Sequence, residues 1–139
     1  MADPDFSASS SRGQALALTD FRGKVPVVLV FVGPLDPSSD AVADLDRHHV
    51  DFGHERVQLL VVAQADGAEV REVPSSGVEL PVLADPDGEL RATYARGKGA
   101  EAFAVVLDTE GELVARFALD GGAEALLVRV RDLGDTLHA

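Results

Sequence analysis

The residues whose types and spacing could do chemistry are four histidines, two adjacent serines and a short acidic loop. His48, His49, Asp51 and His54 lie close together and invite a metal reading. Metal-binding helices, however, place their ligands at i and i+4. His48, His49 and His54 do not share that spacing, and a histidine near a helix C-terminus is stabilised by the carbonyl ends. No metal site is expected from them. Ser38 and Ser39 could serve as nucleophiles at the start of a helix, where unpaired amides favour an anion. They lack a histidine nearby in sequence to act as base, and N-capping accounts for both.

Asp85-Pro86-Asp87-Gly88-Glu89 opens like a calcium loop but lacks the later bidentate acid, so it reads as a turn before a helix. The glycines of Gly97-Lys98-Gly99 do not follow a strand and open a helix as a phosphate loop requires. Arg91, Arg96 and Lys98 form a basic cluster that either gives a small anion a local positive field or is a solvated surface. There is no cysteine, and Met1 is the only sulfur. That removes disulfides, thiolate metal sites and any soft nucleophile of low pKa together. No cofactor and no catalytic residue can be assigned.

A chain of 139 residues is about one domain and buries enough surface to need no metal or disulfide staple. Hydrophobic residues at 46% and charged residues at 26% are ordinary globular values, and with 5% aromatics the core falls to Val, Leu and Ala. A formal net charge of −12 repels phosphate backbones and anionic membrane surfaces, which disfavours nucleic acid as a partner. The same charge fits solubility needs or an acidic docking surface for a basic partner. No apolar run is long enough to span a membrane. Residues 1–13, with Asp3, Asp5 and several serines but no basic-then-apolar leader, are expected to be a disordered tail ahead of one domain over 14–139, and a cytoplasmic location follows.

The elements that must position these residues follow from pattern. A weak alternation over 14–18 leads into a turn closed by Gly23. The β-branched run over 25–32, stopped by Gly33-Pro34, predicts a central strand covered on both faces, with Pro26 at its beginning. Asp36, Ser38 and Ser39 are candidate N-caps for a helix over 40–52, with a stripe of Val42, Leu45, His49 and Phe52, ended by Gly53. His49 in that stripe is expected to hydrogen-bond in the core or, with Phe52, to face a partner subunit. A second buried strand is expected over 57–63, a short helix over 66–73, a short strand over 81–84 and a helix over 89–94. Strands over 102–107 and 112–118 flank a hairpin turn at Asp108-Thr109-Glu110-Gly111. A final amphipathic helix over 123–137 presents Leu126, Leu127, Val130, Leu133 and Leu137 on one face. This order describes an α/β fold similar to a thioredoxin-like three-layer sandwich: a mixed central sheet with a C-terminal β-hairpin and helix.

The residues resemble the peroxiredoxin-like (AhpC/TSA, redoxin) branch of the thioredoxin-like superfamily over roughly 18–117. The matching stretches, in order, are Leu18-Thr19-Asp20-Phe21-Arg22-Gly23-Lys24, Phe31-Val32-Gly33-Pro34-Leu35-Asp36, Leu80-Pro81-Val82-Leu83-Ala84-Asp85-Pro86-Asp87-Gly88-Glu89, and Val105-Val106-Leu107-Asp108 with Gly111. The active loop of that family runs Pro, three residues, Thr, two residues, Cys. Here Pro34 fits, Ser38 substitutes one hydroxyl for another, and Ala41 stands where the reactive cysteine belongs. The resemblance also implies an Arg just ahead of the hairpin's first strand, and Ala102 occupies that place. An alternative register against two-cysteine thioredoxins puts Asp36-Pro37-Ser38-Ser39 at the loop, again without sulfur, and the proline before the hairpin is missing.

Peroxide reduction of the family type needs a thiolate that attacks the peroxide and becomes sulfenic acid. Thiol peroxidase activity is therefore not expected. The expectation is a cysteine-less family member acting by binding a protein partner or a small ligand through the remnant loop of Pro34, Ser38, Ala41 and Ala102. His49, Phe52, Arg96 and Lys98 are its candidate binding or interface residues, and homodimerisation is expected by analogy with the family. The alternatives are an enzyme with a non-thiol site and a silent subunit that pairs with a cysteine-containing paralogue.

Overall fold

The computed structural model describes residues 7–9, 15–17, 21, 23–33, 41–71, 82–85, 103–110, 112–118 and 122–134. Strands β1 (Ser7–Ser9) and β2 (Ala15–Ala17) pair antiparallel, with Ser7 opposite Ala17. Residues 7–9 thus depart from the tail expected over 1–13. Ser7-Ala8-Ser9 is held by backbone pairing to β2 and carries no hydrophobic period to read. The main sheet comprises β3 (Val27–Gly33), β4 (Gln58–Ala63), β5 (Val82–Ala84), β6 (Phe103–Leu107) and β7 (Leu113–Ala118). Its order is β5-β4-β3-β6-β7. Strands β3, β4 and β5 are parallel, and β6 and β7 add to β3 as an antiparallel hairpin. The sheet is mixed and open, as the element order predicts for the α/β sandwich.

β3 is central, and every residue from Val27 to Phe31 is buried. Its alternate side chains enter two separate cores. Val28 and Val30 join Leu59, Val61, Ala104 and Val106 on one face. Val27, Leu29 and Phe31 join Leu60, Val62, Leu83, Phe103 and Val105 on the other, where Phe21 also packs. A strand buried on both faces has to be a continuous apolar run rather than an alternating one, which is the pattern of this segment. Pro26 precedes β3, where its missing N–H removes no ladder bond, and its carbonyl accepts the Gln58 N–H at 2.9 Å.

The first face is covered by α1 (Ala41–Arg47), α2 (His49–His54), α3 (Gly67–Arg71) and α4 (Gly122–Asp132), which supply Leu45, Phe52, Val70, Leu126, Leu127 and Val130 to its core. In α4 the predicted stripe is buried as far as the described residues run, with Leu133 partly buried against it and Leu137 outside them. Arg129 lies over the Phe117 ring at 5.0 Å, and Arg131 bonds Glu55 at 3.0 Å, so the exposed side of α4 is also tied to β7 and to the end of α2. The helix expected over 89–94 lies outside the described residues.

Two turns match their sequence signals. Gly23 takes φ +82, a conformation that favours glycine, and its N–H reaches the Thr109 carbonyl at 2.6 Å. In the β6–β7 turn the Asp108 carboxylate accepts the N–H groups of Glu110 and Glu112, both at 2.9 Å.

The single helix expected over 40–52 is instead two. The backbone breaks at His48 (φ −103, ψ 3), whose N–H turns back to the Leu45 carbonyl. The Asp44 carbonyl, deprived of that helical donor, accepts Nδ1–H of the His48 ring at 2.9 Å, and the Asp46 carbonyl accepts Nδ1–H of His49 at 2.5 Å. Imidazole donors thus replace backbone donors at the break. Gly53 does not end the second helix either. It lies inside α2, and the left-handed position after the helix is Arg56, at φ 59.

Three stability outcomes follow from this packing. Leu126→Ala should lower unfolding free energy by about 2–5 kcal/mol in a urea melt; a loss below about 0.5 kcal/mol would mean that α4 is not docked. His48→Ala and His49→Ala should each cost about 0.5–1.5 kcal/mol, read the same way, and unchanged midpoints would show that water replaces the ring donors. Arg56→Gly relieves a left-handed arginine at some cost in chain entropy, so calorimetry should show a net gain of about 0.5–1 kcal/mol rather than a loss.

Candidate functional site

The candidate residues are traced from the carboxyl ends of the parallel strands, where open α/β sheets form their ligand crevices. β3 carries an irregularity there: Phe31 pairs with Val62 and Gly33 with Ala63, leaving Val32 as an extra residue. Such a bulge redirects a strand at its end. The chain returns to described structure with Ala41 as the first residue of α1. The first helical turn has amides without intrahelical partners. An alanine methyl at its opening residue has no polar atom to offer a reactant.

β6 runs antiparallel to β3, and its first residue, Phe103, is opposite Phe31. The two rings stack with centroids 4.7 Å apart and planes inclined by 13°. The stacked pair ties the start of β6 to the end of β3, close to where the chain leaves for α1. Pro34, Ser38 and Ala102, and the basic residues Arg96 and Lys98, lie outside the described residues, as does the Gly97-Lys98-Gly99 loop.

Among the described residues Asp85 is the only buried charged side chain, 7% exposed. It directly follows β5 at the same end of the sheet, and its N–H donates to the Ala63 carbonyl at 2.9 Å. The sequence reading placed it only in a turn. Its burial follows from its place at the end of an inner-facing strand rather than from any motif.

The interface reading of α2 needs correction. Phe52 is fully buried in the core with Leu45 and cannot present a patch. The large apolar side chain that α2 exposes is Val50, at 54%. His49 is part-buried and bonds its own helix at the Asp46 carbonyl, with its Nδ1 3.8 Å from the Asp46 carboxylate. His48 likewise lies 3.7 Å from the Asp44 carboxylate, which also takes Arg47 at 3.2 Å.

These imidazoles sit at the far end of α1 from Ala41, about 10 Å away along the axis at 1.5 Å per residue. They are committed to closing the helix. No three metal-ligating side chains gather among the described residues.

The chain matches the AhpC/TSA family over residues 2–116. No curated protein matches it by sequence. Its fold is similar to that of peroxidoxin BcpB from Mycobacterium tuberculosis, at 15% identity and TM-score 0.79, covering 100% of this chain and 97% of that one. Enterococcus faecalis AhpC is similar at 17% identity and TM-score 0.80, over 98% and 91% of the two chains. A reduced Plasmodium vivax 2-Cys peroxiredoxin is similar at 20% identity and TM-score 0.79, over 97% and 95%. With a mixed five-stranded sheet of thioredoxin-like type, a helix opening at Ala41 after the central strand, and a family match over most of its length, this chain belongs to the AhpC/TSA family, and it does so without a cysteine.

Proposed function

We propose that this chain is a family member without thiol peroxidase activity, which acts by binding a protein partner or a small ligand at the carboxyl end of the sheet. The observation that supports the reading is chemical: with no cysteine in the chain, Ala41 opens the helix that follows the central strand. Sulfenic acid cannot form without a thiolate, and no other side chain supplies an equivalent nucleophile. A fold can persist after its chemistry is lost, because function resides in the site. The non-thiol alternative gains nothing from His48 and His49, which close α1 at its opposite end. The reading takes 14–139, joined by β1 at Ser7–Ser9, as one domain and the cytoplasm as its location. No described helix is long and apolar enough to cross a membrane.

A homodimer is the form of association that this reading favours. Among the described residues β7 has no strand paired on its outer side, and Arg116 is the one charged residue on it. Leu113 on it is 39% exposed. Sedimentation at high concentration should give a species of twice 14.6 kDa, and a monomer throughout would overturn the dimer.

The loss of chemistry is tested by peroxide consumption. The wild-type protein, supplied with a dithiol or a thioredoxin system, should consume hydrogen peroxide no faster than buffer; rapid turnover would refute the reading. Ala41→Cys places a thiol in the first turn of α1, and thiol alkylation against pH should give a pKa below the free value of about 8.5. Ala41→Cys alone should react slowly with peroxide in stopped flow, and Ala41→Cys with Ala102→Arg faster. An unshifted and unreactive thiol in both variants would show that Ala41 and Ala102 do not occupy the family positions.

A further inference from the structure

We draw no further inference here: the strongest candidate, the imidazole pair His48 and His49 beside Asp44 and Asp46 at the break between α1 and α2, has both Nδ1 atoms engaged by the carbonyls of α1 and gathers no metal-ligating set among the described residues.

Discussion

Burial of β3 on both faces is the constraint on which the rest of this molecule depends. A strand with water on neither side can hold no polar side chain without a partner, so Val27 to Phe31 are all apolar and feed two cores at once. The helices α1, α2 and α4 are held by one of those cores, and the stacked Phe31 and Phe103 belong to the other. The position of Ala41 is a by-product of this arrangement. Its helix is fixed from behind by Leu45 and, through α2, by Phe52.

That division explains how chemistry and fold can part company here. The groups that hold the sheet are buried apolar side chains, and none of them is a reacting group. The residues described in the two cores carry no group that could react with a peroxide. Neighbours at 15–20% identity share the fold because two-sided burial and strand order can be met by many apolar sequences. The likeness to those structures therefore speaks for architecture, and the site must be read from the residues that stand in it.

Much of the fold was legible in the sequence because some segments carry strong and consistent patterns. The run at β3, the Asp108 turn and the stripe of Leu126, Leu127 and Val130 each combine periodicity with a boundary residue. The α1–α2 break was not legible. The stripe of Leu45, His49 and Phe52 has a helical period, and nothing in it signals that two imidazoles can replace backbone donors at carbonyls three and four residues back. Phe52 keeps the place that the stripe gives it beside Leu45 in the core, and it is the interface reading of Phe52 that its burial rules out. β1 was missed because Ser7-Ala8-Ser9 offers no hydrophobic alternation, and β2 left only the weak alternation over 14–18. Of the candidate site, the sequence located the missing sulfur, whereas the burial of Asp85 depends on strand pairing that no local pattern contains.

The joint between β3 and β6 has a consequence for how the chain reaches this state. β4 and β5 follow β3 in order, and β7 follows β6 across the tight turn at Asp108, so each half of the sheet is made from strands consecutive in sequence. The two halves meet where β3 pairs with β6, from Val27 beside Leu107 to Phe31 beside Phe103, and that pairing encloses everything between them. The entropy of closing so long a loop is spent before the paired strands return any contact energy. The seam that carries the stacked phenylalanines is thus the strand pairing of this sheet with the largest loop-closure cost, because β4 and β5 lie between the strands that it joins.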